Sequence, residues 1–175
     1  MTYGSLEGQT NSGGSDCLLA QYLPDGSQGW TRQFGSVGDD LIVAVKVDSA
    51  DHIWISGYSQ RAFDGQTNSG GSDAFLTVFA PDGTRSRTRF LGSSAEDYGA
   101  AIDIGGDGAI YQAGYKQGDF DGQTNAGGVH AFLTRWRPPA LPVISTPPTK
   151  QVIAPGLPAT VNVRASGTAL LNNQW

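Results

Sequence analysis

The stretch that decides the fold is Gly65-Gln66-Thr67-Asn68-Ser69-Gly70-Gly71-Ser72-Asp73, because it recurs in the chain. The same nine residues stand at 8–16, and the first seven return at 122–128 with Ala126 in place of the first serine. The copies begin at Gly8, Gly65 and Gly122, so both intervals are 57 residues. A motif that returns at one fixed interval indicates a repeat architecture.

Residues outside this loop keep the same register. The turn sequence Pro24-Asp25-Gly26 matches Pro81-Asp82-Gly83, and Gly57-Tyr58 matches Gly114-Tyr115. In the second copy, alternating segments separated by Gly and Asp turns predict four short strands, and no segment has a convincing helical period. These strands are predicted at 74–80, 85–91, 98–104 and 109–115.

One face of the first predicted strand carries a large, a small and an aromatic residue at every second position. Such a face predicts packing against a neighbouring sheet, which a single unit cannot supply by itself. The residues on this face are Leu18, Ala20 and Tyr22 in the first copy, Phe75, Thr77 and Phe79 in the second, and Phe132, Thr134 and Trp136 in the third.

Four strands in a unit of this length, with a Gly-rich connection, are typical of a β-propeller blade. The sequence therefore predicts an all-β chain that holds a partial β-propeller of four-stranded blades in residues 1–137. The predicted blades are 8–63, 64–120 and a partial blade at 121–137. Because propellers have about four to eight blades, we expect the chain to be a fragment. Either other blades complete its ring, or the fragment is unstable, or it oligomerises.

The repeat resembles the bacterial β-propeller repeat known as the SBBP repeat. The resemblance covers about residues 4–138 and is carried by the run 64–76, by Pro81-Asp82-Gly83 and by Gly114-Tyr115. It implies a ring of about seven blades in a secreted or cell-surface protein. It implies no established catalytic activity.

A different composition begins after Trp136. Residues 138–142 are predicted to be a stiff Pro-rich linker. Residues 143–175 resemble the start of a bacterial immunoglobulin-like domain, an incomplete β-sandwich, with an alternating strand at 160–165 and Trp175 as its core tryptophan. The alternative interpretation is a Pro-rich linker with incidental alternation.

Charge and hydropathy exclude two classes of partner. The net charge is −5 and the 11 Lys and Arg residues are scattered, which is unfavourable for binding nucleic acid. The longest apolar run, 41–45, is far too short to span a membrane.

Cys17 is the only cysteine, so no internal disulfide is expected. Residues 1–6 have no signal peptide character; if the chain begins within a longer protein, a signal would lie in the missing part.

The repeated loop offers the only predicted ligand site. Closely spaced side-chain oxygens on a Gly-rich loop are candidates for binding Ca²⁺, although the spacing does not fit an EF-hand. The stronger interpretation is structural: these residues satisfy their own turns, and the loop connects one blade to the next. No other cofactor is expected. The candidate ligands are Asp64, Gln66, Asn68 and Asp73 in the second copy, Glu7, Asn11 and Asp16 in the first, and Asp121 and Asn125 in the third.

Other chemically interesting residues have simpler interpretations. Cys17 aligns with two alanines, which predicts a packed thiol rather than a nucleophile. His52 and His130 lack the further ligands of a zinc site. The acid pairs 39–40 and 96–97 are interpreted as turn residues. Repeated aromatic residues are interpreted as core rather than as sugar-stacking groups: Trp54, Tyr58, Tyr111 and Tyr115.

These observations favour a noncatalytic structural or binding segment of a secreted or cell-surface repeat protein. Its role would be scaffold, adhesion, or binding of a protein or glycan, and its partners would include other blades of the same protein. Two alternatives are part of a propeller enzyme of the lyase or hydrolase type, and a Ca²⁺-binding propeller module.

Overall fold

The computed structural model describes residues 2–120 and 122–137, together with the backbone of two short strands at 143–146 and 164–166. The chain divides into two compact units, Met1–Trp136 and Arg137–Trp175. All the regular structure of the described residues is β-strand, which confirms the predicted all-β class. No helix that could cross a membrane occurs in this part of the chain.

The first unit contains three antiparallel sheets formed by strands that follow one another along the chain. The sheets have the strand orders β1-β2, β3-β4-β5-β6 and β7-β8-β9. The strands are β1 (Cys17–Tyr22), β2 (Gln28–Phe34), β3 (Asp40–Val47), β4 (Ile53–Ser59), β5 (Asp73–Phe79), β6 (Arg85–Leu91), β7 (Asp97–Ile104), β8 (Ile110–Lys116) and β9 (His130–Trp136).

The predicted strands lie within about one residue of strands β5 to β8. The turn between β5 and β6 illustrates why. Gly83 has a φ of 77°, which glycine adopts without strain, and the Asp82 carboxylate accepts a hydrogen bond from the Thr84 amide at 2.8 Å. The turn residues therefore end one strand and begin the next, as the sequence pattern indicates.

The sheets do not coincide with the predicted blades 8–63, 64–120 and 121–137. The four-stranded sheet runs from Asp40 to Leu91, so it combines the last two strands of one repeat copy with the first two of the next. The repeated loop connects two neighbouring strands of this sheet, since β4 and β5 pair directly from Ile53↔Phe79 to Ser59↔Asp73. The observed sheets and the predicted blades therefore differ in phase, because a repeat has no starting point of its own in sequence.

Three hydrophobic clusters hold the sheets together in the described part of the chain, and the smallest comprises Ala74, Phe120 and Phe132. The first packs Phe34 and Cys17 against Ile55, Phe75 and Phe79 of the four-stranded sheet. The second involves the opposite face of that sheet, and there β7 packs against β3, β4 and β5. The residues of the second cluster are Trp54, Leu76, Val78, Ile102 and Ile110.

The predicted alternating face is fully buried in the second copy, partly buried in the third and uncovered in the first. Phe75, Thr77 and Phe79 are fully buried, and Phe132 is buried in the third sheet. The equivalent Tyr22 on β1 is 67% exposed. No sheet among the described residues covers this face of β1, so the same pattern gives a different burial.

In the second unit the described backbone forms one antiparallel pair, β10 (Val143–Thr146) with β11 (Arg164–Ser166). The predicted linker at 138–142 lies outside the described residues, as do Trp175 and most of the predicted strand at 160–165. The immunoglobulin-like assignment therefore stays a prediction.

Candidate functional site: the repeated loop and its buried aspartates

The first two repeated loops begin with a tight turn in which two consecutive residues have positive φ. These are Glu7 (51°) and Gly8 (74°) in the first copy, and Asp64 (55°) and Gly65 (66°) in the second. The Gln66 amide closes the second turn by donating a hydrogen bond to the Phe63 carbonyl at 3.1 Å. Two left-handed residues in succession define a type I′ turn, which explains a glycine that directly follows an acid.

The acid of this turn faces the last strand of its own sheet. The Asp64 carboxylate accepts a hydrogen bond from the Thr88 hydroxyl and forms an ion pair with Arg85. In the first copy, Glu7 accepts hydrogen bonds from Thr31, at 2.7 Å, and from Gln28. Hydrogen bonds from Thr31 and Gln28 hold the pKa of Glu7 below its ordinary value. These two predicted calcium ligands therefore already have protein partners.

The loop asparagines cap the next turn in all three copies. Their side-chain oxygens accept hydrogen bonds from the amide two residues ahead, at 3.3 Å for Asn68 and at 2.8 Å for Asn125. The Asn68 side chain also donates to the carbonyls of Ser59 and Gly71. Asn11 repeats the capping contact at 3.0 Å. This use of asparagine satisfies the backbone of the turn locally.

Asp16 and Asp73, which end the first two loops, are completely buried. One oxygen of each carboxylate accepts a hydrogen bond from the amide four residues earlier, at 2.9 Å from Ser12 and at 2.7 Å from Ser69. The third loop has His130 at this position, and its ring makes a 2.9 Å hydrogen bond with the Gly127 carbonyl. The buried acid is therefore a feature of the first two copies alone.

A second pair of buried aspartates, Asp40 and Asp97, lies at the start of β3 and β7. Asp40 accepts a hydrogen bond from the Ser36 amide at 2.7 Å, and Asp97 accepts one from the Ser93 amide at 2.6 Å. These hydrogen bonds agree with the interpretation of both acids as turn residues.

Each loop aspartate lies close to one of these strand aspartates. Gly35 lies beside both carboxylates of the first pair. A Cβ built on Gly35 would be 2.8 Å from Oδ1 of Asp16 and 2.4 Å from Oδ2 of Asp40. These two oxygens are therefore no further apart than the two distances added together. Burial raises the pKa of Asp73 to about 6, and the negative charge of Asp97 acts in the same direction. Burial likewise raises the pKa of Asp40, with a further contribution from Asp16.

One oxygen of every buried aspartate has no hydrogen-bond partner within the described residues. These atoms are Oδ1 of Asp16, Asp40, Asp73 and Asp97. Buried polar atoms in proteins are nearly always satisfied, and an ionised carboxylate without a counter-ion is especially costly. The arrangement therefore favours a bound proton or cation at each pair.

The loop also contacts the segment that leads into the following sheet. The Ser72 carbonyl accepts a hydrogen bond from the Asp97 amide at 2.6 Å, and the Ser72 amide donates to Glu96 at 2.9 Å. A Cβ at Gly70 would lie 2.4 Å from the backbone of Ser94, so this approach requires glycine. The loop therefore joins two strands of one sheet and also contacts the segment that leads into the next sheet.

The predicted calcium ligands do not converge on one point. Asp64 and Gln66 line an open groove beside β6, whereas Asp73 is buried. Asp121 lies outside the described residues. Where side chains are described, no three of His, Cys, Asp and Glu stand close enough to share a metal ion. The pairing of Asp73 with Asp97 was missed from the sequence, although 24 residues separate the two acids in both copies.

The remaining candidates have packing contacts. Cys17 is buried, and burial raises the pKa of its thiol, which agrees with a packed thiol. His52 contacts Asp48 at 3.2 Å. Trp54 is buried, and Tyr58 packs edge-on against Tyr98 with ring centroids 4.7 Å apart. Tyr115 is the exception: its side chain is exposed, so its interpretation as a core residue was wrong.

No protein-family model matches the chain, and comparison with curated proteins found no matching relative. The repeat and the contacts that recur with it are the features of the chain that bear on its function.

Proposed function

We propose that this chain is a noncatalytic scaffold segment of a β-propeller repeat protein that acts in a secreted or cell-surface setting. The observation that carries the proposal is that the polar contacts of the loop recur 57 residues apart and connect each loop to the next sheet. Thus Asp40 and Asp97 donate their amides to Ser15 and Ser72 at 2.7 and 2.6 Å. The secreted or cell-surface location rests on the resemblance of the repeat alone.

The order of the strands supports the propeller assignment. The four-stranded sheet is a simple meander, β3-β4-β5-β6, and the short segment 92–96 then leads directly to β7. Strand β7 packs across three strands of the preceding sheet. Successive meander sheets that pack face to face are how propeller blades are arranged around their axis. In this arrangement β3 and β7 would be the innermost strands of their blades.

The test is a protein made of seven tandem copies of residues 64–120, with a three-copy protein as the control. We expect the seven-copy protein to be a compact monomer that unfolds cooperatively, because closure of the ring removes both open ends. The three-copy protein should remain open and should associate as its concentration rises. A seven-copy protein whose radius of gyration, measured by X-ray scattering, grows as that of a rod would contradict the propeller.

A second candidate function, binding of a divalent cation, is favoured by the four buried carboxylate oxygens without partners. The cation would lie between Asp73 and Asp97 and between Asp16 and Asp40, where anionic oxygens are the ligands that Ca²⁺ prefers. This differs from the predicted loop site, since Asp64 and Asn68 have other partners.

Thermal unfolding of the chain in millimolar CaCl₂ and in chelator tests this candidate. Saturation at about 100 times the Kd would stabilise the fold by about 2.7 kcal/mol. The D97N variant is the matched control, because it keeps an acceptor for the Ser93 amide and removes one charge from the pair. An unchanged midpoint in the wild-type chain would eliminate calcium binding. The lyase or hydrolase alternative has no contact in its favour in the part of the chain that the structure describes.

A further inference from the structure

Strand β6 is the outer edge of a complete four-stranded sheet. Within the described residues it pairs with β5 alone, and the chain then leaves this sheet through 92–96 to reach β7. All four strands of the meander are present, so this edge does not arise from a missing strand. The main-chain N–H and C=O groups along such an edge can pair with a further strand.

The edge of β6 is positively charged. The groove beside it has a volume of about 640 Å³, and its charged lining residues are Arg85, Arg87, Arg89 and Asp64. Their formal charge is +2, in a chain whose net charge is −5. Arg87 and Arg89 are exposed and two residues apart, with no register shift between them. Their side chains therefore lie on one face of the strand, about 7 Å apart along it.

Arg85 provides an unused hydrogen-bond donor in the same groove. Its Nη2 forms the ion pair with Asp64, and its guanidinium carbon lies 5.2 and 5.5 Å from the ring centroids of Phe34 and Phe63. Its Nη1 is buried and has no hydrogen-bond partner within the described residues. A buried N–H group without an acceptor is costly. The groove therefore favours a ligand that brings a carbonyl or carboxylate oxygen.

The equivalent strand of the first copy, β2, uses its side chains differently. The residues 57 positions before Arg87 and Arg89 are Trp30 and Arg32. The Trp30 ring N–H donates a hydrogen bond to the Pro81 carbonyl at 3.1 Å, and Arg32 Nε donates one to the Gly83 carbonyl at 2.8 Å. Both side chains thus contact the next sheet, whereas the Arg87 guanidinium has no hydrogen bond or ion pair among the described residues.

We propose that the edge of β6 binds an extended acidic segment of a partner protein, which adds a fifth strand to the sheet. This inference goes beyond the scaffold function, because it assigns a partner of defined chemistry to one strand. Acidic side chains at every second position of the segment lie opposite Arg87 and Arg89, where cross-strand pairs of opposite charge stabilise a sheet.

The same charges disfavour a second copy of the chain as the occupant. Antiparallel pairing of two β6 strands about Arg87 places arginine opposite arginine, and like charges directly opposite each other destabilise a sheet. Main-chain pairing therefore supplies affinity for an added strand, and the arginines restrict that strand to an acidic one.

The experiment titrates the full chain with a short synthetic peptide in which glutamate alternates with threonine. We expect calorimetry to show saturable binding of one peptide per chain, which weakens as salt is added because salt screens exposed charges. Hydrogen exchange of the amides of 85–91 should slow in the complex, because the added strand pairs with them. The same peptide with glutamine in place of glutamate should bind about tenfold or more weakly.

Charge-reversal variants of the chain locate the site. R87E and R89E should each weaken binding of the glutamate peptide about tenfold or more, because each places an acid opposite an acid. R61E is the matched control, since Arg61 is exposed in the loop before β5 and does not line the groove. It should leave the affinity unchanged. All three residues are exposed, so the variants should fold, and thermal unfolding checks that they do.

Four results would overturn the inference. They are no saturable binding of the glutamate peptide, equal binding of the glutamine peptide, equal effects of R87E and R61E, and binding without slower exchange at 85–91. The last result would indicate a site for anions in general, such as sulfated oligosaccharides, and not strand pairing. Because the site lies within one sheet, each of these results leaves the propeller proposal intact, and failure of the seven-copy protein to close leaves the β6 site intact.

Discussion

Strands β3 and β7 have the same place in the repeat, and their difference shows what determines burial in this fold. Both pair antiparallel with the following strand, and both have a register shift at the same point, between Ile42 and Ala44 and between Gly99 and Ala101. Yet Ile102 is buried and Val45 is exposed. The local sequence therefore determines the strand and its bulge, whereas the neighbouring sheet determines whether its apolar face is covered.

The largest expected effect comes from truncating these two equivalent residues. I102A should lower the free energy of unfolding by about 2–4 kcal/mol, because it leaves a cavity between two sheets. V45A should lower it by no more than about 0.5 kcal/mol, because its side chain is half exposed. Urea unfolding measures both values. Equal losses would mean that β7 is not packed on the preceding sheet.

A second comparison sets a glycine of the loop against a glycine of a surface turn. G70A should destabilise the fold by about 3 kcal/mol, because the new methyl group would meet the backbone of Ser94. At G106A nothing lies within 4 Å, and the free energy of unfolding should change by less than about 0.5 kcal/mol. Thermal unfolding distinguishes the two. A harmless G70A would show that the loop does not contact the segment 92–96.

The buried aspartates predict an unusual dependence of stability on pH. The pKa of Asp73 in the folded chain is about 6, above that of an unfolded aspartate, so the folded chain binds more protons between about pH 4 and pH 6. The contribution of Asp73 to stability is therefore complete below about pH 4 and is lost as the pH rises through 6. Relative to wild type, D73N should gain about 2 kcal/mol between about pH 4 and pH 7.

The D82N variant supplies the control of opposite sign. Hydrogen bonds from Thr84 lower the pKa of Asp82, so the charged form of Asp82 stabilises the fold. D82N should therefore lose stability relative to wild type as the pH rises through the ordinary aspartate range. Urea unfolding at several pH values measures both variants. A D73N variant with no pH-dependent gain would contradict the paired-acid arrangement.

A smaller effect is expected where the loop acid contacts the outer strand. T88V removes the hydroxyl that donates to Asp64 and should cost about 1 kcal/mol. T31V is the equivalent change in the first copy, where Thr31 donates to Glu7. A similar loss in both variants, measured by thermal unfolding, would show that the contact is a property of the repeat. A loss in only one copy would show that it depends on local surroundings.

The sequence was sufficient for the repeat, the strands and the turns, because each depends on nearby residues. Gly83 and Asp82 show this, since their turn follows from their own backbone preferences. Which four strands form one sheet could not be predicted from nearby residues, because the pairing of β4 with β5 joins strands on either side of the repeated loop. The pairing of Asp16 with Asp40 was missed for the same reason: it requires knowing that the loop returns to the segment before β3.

The most direct test of the account is amide hydrogen exchange of β5 and β1, which hold equivalent positions in successive repeat copies. Strand β5 pairs on both edges and is buried on both faces, whereas β1 pairs on one edge. We expect the amides of 74–79 to be among the slowest to exchange in the chain, and those of 17–22 to exchange markedly faster. Equal protection of the two strands would contradict the arrangement in which the sheet at 40–91 is a complete structural unit.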